Sequence, residues 1–186
     1  MKKLVLLVVL ASCFTGLKAQ QVFFSKTAHI WFFSSTPIED IEAHNKKSTC
    51  AIDIEKNIVE FKITMKDFVF EKALMQEHFN ENYVESDKFP IALFRGTFVN
   101  FSDLDFTLTT PQKATVKGKM TIHGVENVVE TIGTVHRVNN ELKINAKFII
   151  KPADYNIKIP TLVIKNIAEV IDVHVDASLN ELKPKK

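Results

Sequence analysis

Val59-Glu60-Phe61-Lys62-Ile63-Thr64-Met65-Lys66 is the stretch whose reading decides the fold. Its apolar residues occupy every second position, and Glu60, Lys62, Thr64 and Lys66 stand between them. Successive side chains of a β-strand point to opposite faces, so this pattern describes a strand with one face buried and the other in water. The same period returns at Ala92, Phe94, Gly96 and Phe98, and at Val116, Gly118, Met120 and Ile122. It returns again at Leu142, Ile144, Ala146, Phe148 and Ile150, and at Ile171, Val173, Val175, Ala177 and Leu179. Further strands are read at Gln21 to Ser35, Asp103 to Thr110 and Glu126 to Arg137, with turn residues at 53–57, 111–113, 124–127 and 139–140. Roughly seven or eight short strands with one-sided alternation and tight connections predict an antiparallel all-β sandwich or barrel.

Two short helices are expected beside the strands. The first starts at Thr36, where Pro37 fits the first helical position and Glu39 completes a T-x-x-E capping box, and it ends near Asn45. The second runs from about Lys72 to Asn82, with Leu74, Met75, His78, Phe79 and Asn82 on neighbouring helical positions and Pro90 barring a long continuation.

The first residues read as a secretory signal peptide: Lys2 and Lys3, the apolar run Leu4 to Leu10, and no acid before a cut placed after Ala19. The run is far shorter than the ~20 residues of a transmembrane helix. A second cut before Cys13 resembles a lipobox and would leave a lipidated N-terminus. Segment 1–19 is therefore read as the signal, and 20–186 as one periplasmic or secreted domain without a transmembrane segment. The leader holds Lys2, Lys3 and Lys18 and no acid, so 21 basic against 22 acidic residues remain, a net charge of −1. A nearly neutral domain without a basic stretch gives no electrostatic reason to expect nucleic acid as a partner. Cys50 is the one cysteine after the cut, so no internal disulfide can form, and it is read as a small apolar filler.

No metal is expected. The six histidines, His29, His44, His78, His123, His136 and His174, show none of the spacings of metal or metalloprotease motifs. Asp172, His174 and Asp176 share a strand face, but they back an unbroken apolar face and read as its solvated side. There is no G-x-S-x-G elbow, and five glycines leave no Gly-rich phosphate loop. No catalytic residue and no cofactor are assigned. Phenylalanine stands out instead, with 15 residues against two Tyr and one Trp, and only Phe14 precedes the cut. An eight-stranded barrel has one inward face, which either fills with side chains or holds a single small ligand. Here the predicted inward face carries no charge, so a ligand held there must be apolar along most of its length.

The run Leu74, Met75, Gln76, Glu77, His78, Phe79, followed by Tyr83, Ser86, Lys88, Phe89, Pro90, Ala92 and Phe94, resembles the helix-to-strand signature of the YceI-like proteins. Val116, Gly118, Met120, Thr121, Ile122, His123 and Gly124, then Val128, are similar to that family's G-x-L-T-I-x-G-V strand and turn. Phe32 to Ile41 resembles a short exported subgroup associated with Bacteroidetes-type bacteria. The resemblance spans about Phe24 to Leu182. It implies a single extended, lipocalin-like antiparallel barrel of eight strands whose tunnel binds an isoprenoid lipid, such as an isoprenoid quinone or polyprenyl phosphate, and which is not an enzyme. By position the lining comprises Phe61, Ile63, Met65, Phe94, Phe98, Met120, Phe148 and Val173, with Leu74, Met75 and Phe79 closing one side. Family members can pair as homodimers. Longer members carry Arg-x-x-[FY]-G near the end, where this chain has Ala153, Asp154, Tyr155, Asn156 and Ile157.

Function is thus expected to be that of a binding or carrier protein for an amphiphilic isoprenoid lipid. The alternative is a solidly packed structural, interaction or stress-response module without a lipid. A third reading gives His78 and a nearby carboxylate an isomerase or hydrolase role.

Overall fold

The alternating segments form strands in the computed structural model, which describes residues 21–160 and 166–182. The signal segment, its cut after Ala19 and Cys13 lie outside the described residues. The strands are β1 (Val22–Ser35), β2 (Asp40–Asp53), β3 (Ile58–Thr64), β4 (Val69–Phe70), β5 (Ile91–Phe98), β6 (Gln112–Ile122), β7 (Val125–Val138), β8 (Glu141–Ile150) and β9 (Ile171–Glu181), with one helix, α1 (Ala73–His78). Hydrogen-bonded neighbours run β1-β9-β8-β7-β6-β5-β3-β2, and β1 pairs back onto β2. That last pairing closes an antiparallel barrel of eight strands, while two-residue β4 sits on β2 through Ala43↔Phe70 and His44↔Val69. Closure leaves no free edge strand and gives every strand one inward face.

Local chemistry sets the turns. Ile122↔Val125 and Val138↔Glu141 are closed by two-residue turns at His123-Gly124 and Asn139-Asn140, with His123, Gly124 and Asn139 at positive φ. Such turns match the right-handed twist of the flanking strands and favour Asn and Gly. Gly124 is also required sterically, because a Cβ there would stand 2.7 Å from the Phe89 ring.

Three expectations are corrected. The helix read from Thr36 to Asn45 is a turn followed by the first residues of β2. The Thr36 hydroxyl does cap, accepting the Ile38 and Glu39 amides at 3.3 and 3.1 Å, but the turn it caps joins β1 to β2. Ile41, Ala43 and Asn45 then alternate inward, and pairing of Asp40–Asp53 with β1 overrides the helical start signal. The strand read at Asp103 to Thr110 is instead a 3-10 turn and loop that lays Phe101, Leu104 and Phe106 against the end of the barrel. The helix read from Lys72 to Asn82 is regular only over α1 and continues as a π-type turn, Phe79–Tyr83.

The interior has two halves. Around Phe23, Ile52, Val59, Phe98, Val135, Leu142 and Leu179 it is solid, plugged by Phe101 and Phe106. Cys50 lies in this core as the expected filler, and burial raises its thiol pKa well above the ordinary value. The other half gathers Ile30, Ala43, Met65, Phe68, Phe70, Val84, Ala92, Val173 and Val175 around a space. Leu142→Ala, at 0% exposure, is expected to lower unfolding free energy by about 2–5 kcal/mol in urea melts. Leu74→Ala on the exposed side of α1 is expected to change it by no more than about 0.5 kcal/mol.

Candidate functional site: an apolar cavity inside the barrel

A cavity of about 350 Å³ occupies the second half, within the usual range for small-ligand sites. Its floor is formed by Ile52, Val59, Phe98, Ala114 and Val135, and its walls by Phe61, Phe94, Met120, Ile144, Phe148, Val173 and Val175. Gly96 and Gly118 face each other on the wall, where a Cβ on either would meet the neighbouring backbone at 2.4–2.5 Å. The Phe94 ring folds over Gly96, using the room left by the absent side chain. Phe32, Phe68, Phe70 and Phe79 form the roof, with ring centroids 5.0–5.8 Å apart in tilted and edge-on arrangements.

Every lining residue expected from the sequence except Leu74 borders this cavity: Phe61, Ile63, Met65, Met75, Phe79, Phe94, Phe98, Met120, Phe148 and Val173. Leu74 is corrected. It is 61% exposed and outside the lining, because α1 turns only one stripe inward and that stripe carries Met75 and Phe79 at i and i+4. The sequence reading missed Phe32, Phe68 and Phe70. Phe68 and Phe70 lie in a connection with no strand period of its own, and only the fold of that connection over the barrel end turns them inward.

Polar groups gather where the connections cross the roofed end. The Glu39 carboxylate meets Lys72 Nζ at 2.8 Å and accepts from the Asn166 amide at 3.3 Å, joining the β1–β2 turn, the start of α1 and the segment before β9. The Lys72 hydrogen bond holds the Glu39 carboxyl below its usual pKa. The Ser34 hydroxyl accepts from the Ala168 amide at 2.9 Å. Nearby, His123 contacts Glu85 Oε2 through Nε2 at 2.6 Å and the Tyr155 carbonyl through Nδ1 at 3.1 Å, with the Phe89 ring edge-on at 4.4 Å. Tyr155 is buried and Asn156 adopts φ 56, a left-handed conformation that asparagine tolerates. His78 borders the cavity near this end.

The barrel's outside carries the remaining histidines singled out above. His174 stacks on Trp31 at 4.8 Å, His29 stacks on Trp31 at 4.5 Å and meets His44 at 3.0 Å, and Asp172 pairs with Lys147 at 2.9 Å. Asp172, His174 and Asp176 thus lie on the outward face, as their alternation predicts. Among the described residues no group of three His, Cys, Asp or Glu side chains is placed to hold a metal. None of the described helices is long and apolar enough to cross a membrane.

A closed antiparallel barrel around one apolar cavity defines the class of protein. A family model for the YceI-like domain matches residues 20–179, so the chain belongs to the YceI-like family. Among solved structures it is similar to a polyisoprenoid binding domain from Saccharophagus degradans implicated in plant cell wall breakdown, with 15% identity, TM-score 0.77, and coverage of 88% of this chain and 100% of that one. It is also similar to Burkholderia cenocepacia BcnA (15% identity, TM-score 0.66, 82% and 95% covered) and to a Campylobacter jejuni YceI protein (14%, 0.59, 76% and 85%). No curated protein matches the sequence.

Glu39 and Glu85 have folded pKa values depressed below 4.5 by bonds to Lys72 and His123. A depressed carboxylate contributes stability above its unfolded pKa, and that contribution is lost as pH falls through the folded value. Glu39→Gln/Glu85→Gln is therefore expected to give a flatter Tm profile than the parent as pH is lowered through and below 4.5, read by calorimetry.

Proposed function

We propose that this protein binds and carries an amphiphilic isoprenoid lipid, an isoprenoid quinone or a polyprenyl phosphate, with the tail held in the barrel. The observation that carries this reading is the cavity: inward phenylalanines bound a space of about 350 Å³ and leave it unfilled. A tail entering it leaves water at a gain of roughly 25 cal/mol per Å² of apolar surface removed. The walls offer little polar grip, so affinity comes from burial and orientation from the few polar groups at the roofed end. Support also comes from the family and from the Saccharophagus degradans structure, whose description is of a polyisoprenoid binding domain. The hollow half of the interior favours this reading over a solidly packed module. The role is binding without chemistry. Glu39, the carboxylate bordering the same cavity as His78, is already engaged by Lys72 and Asn166.

The same reading places the protein outside the cytoplasm, in the periplasm or secreted after cleavage near Ala19. The apolar leader supports it, as does a family match that begins at residue 20. Amino-terminal sequencing of the exported protein tests this, with Gln20 the expected first residue.

Mass spectrometry of an organic extract of protein purified from its native host is expected to show a prenyl lipid at near-stoichiometric amount. Absence of lipid, together with no uptake of a short-chain isoprenoid quinone by the purified protein, overturns the proposal. Met120→Trp pushes an indole into the cavity from a partly buried wall position. It is expected to weaken quinone binding by roughly tenfold or more, about 1.4 kcal/mol, while lowering folding stability by no more than about 1–3 kcal/mol.

A further inference from the structure

We infer that the lipid tail enters and leaves through the side of the barrel, by a window between β7 and β8; this rests on the carrier reading above. Besides the register shifts of β1 against β2 and β9, two of the barrel's ladders stop well short of their strands' ends. Between β2 and β3 the pairing ends at Thr49↔Lys62, and the gap beyond is sealed. Fully buried Asn45 donates to the Thr64 carbonyl at 2.9 Å, β4 pairs on Ala43 and His44, and Met65 and Phe68 are buried beside it. Between β7 and β8 the pairing ends at Gly133↔Ala146, and no ladder joins 125–132 of β7 to 147–150 of β8. Continued in register, four more residue pairs would have zipped there, a length of about 13 Å.

Among the described residues nothing comparable seals this second gap. At its foot a single long contact runs from the Thr131 hydroxyl to the Lys147 carbonyl, 3.4 Å. At its top Asn127 donates to the Asp154 carbonyl at 2.7 Å, so the opening is framed at both ends. The cavity reaches it, since Val129, Thr131 and Gly133 of β7 and Ala146 and Phe148 of β8 are all lining residues. Inward-facing Val129, Thr131 and Phe148 keep partial solvent exposure, whereas Val135 and Leu142 on the zipped part of the same strands are 1% and 0% exposed. On the outside, Val128 (66% exposed), Ile132 (53%) and Ile149 (58%) stand along the two unpaired strand segments. These apolar side chains alternate along the rim with exposed Glu130 and Lys147, whose charges are paired with Lys117 and Asp172 at 3.1 and 2.9 Å.

The other ways in are obstructed. Phe101 and Phe106 plug one end. The roofed end is crossed by the Phe32, Phe68, Phe70 and Phe79 rings and tied by the Glu39 bonds to Lys72 and Asn166. Opening that end requires breaking these ties together, while opening the window requires breaking one weak hydroxyl contact.

The test is a staple. Glu130→Cys/Ile149→Cys places outward cysteines across the window; Cys13→Ser removes the leader thiol, and Cys50 is buried. The pair is bridged by a short bis-maleimide, and transfer of a short-chain isoprenoid quinone from phosphatidylcholine vesicles is timed by the quinone that co-elutes with protein. The bridged protein is expected to load and unload at least roughly tenfold more slowly than the unbridged one. Val128→Ser/Ile132→Ser, two exposed changes that leave the fold intact, are expected to slow transfer with equilibrium affinity retained. In contrast, bridging Lys66→Cys/Asp87→Cys, an exposed ion pair on the connections that form the roof and outside the cavity lining, is expected to leave the rate unchanged. Equal loading by bridged and unbridged protein, or slowing only by the roof bridge, overturns the window and leaves the carrier reading standing. Failure of the parent protein to take up quinone at all overturns both.

Discussion

The pairing of β1 with both β9 and β2 is the constraint on which the rest depends. It turns a sheet into a closed wall, and a closed wall divides every strand into an inside and an outside, with edges left where β2 parts from β3 and β7 from β8. Inward positions must then be apolar or locally satisfied. Asn45 shows the second option, donating to the Thr64 carbonyl and accepting the Lys47 amide with no exposure at all.

Closure by itself does not create a cavity. The hollow follows from where bulk is placed along the axis. Phe101 and Phe106 swing into one end from a loop, so that half packs solid around Phe23, Leu142 and Leu179. In the other half the large rings collect at the roof and along the wall, supported by small neighbours such as Gly96, Gly118 and Ala146. Rings braced against one another and against glycine backbone do not collapse into the centre, and the space persists without polar groups to fill it with ordered water.

The same logic explains why the two breaks in the wall differ. The gap beyond β3 lies under the connection that carries Met65, Phe68 and β4, so side chains and a short strand close it. Among the described residues of the connection after β8, Asp154 and Tyr155 meet the start of β7 and the turn before it through Asn127 and His123, and one threonine hydroxyl crosses the foot of that gap. A wall that is rigid elsewhere concentrates its freedom of movement there.

Alternation along each segment was enough to assign the inward faces of β3, β5, β6, β8 and β9, because period two is a property of the strand backbone and survives any tertiary arrangement. It also delivered most of the cavity wall, since wall residues are simply the inward ones. The sequence misled at Thr36, where a cap signal shared by helices and turns was settled by pairing with β1, and at Leu74, where a six-residue helix turned only one stripe inward. It was silent on whether the phenylalanines fill or bound the interior, and on the unzipped stretch between β7 and β8, whose residues alternate as regularly as the rest. Periodicity specifies which way a side chain points. How far apart the walls stand, and where two strands part, depends on contacts between segments distant in the chain, and only the closed barrel decides them.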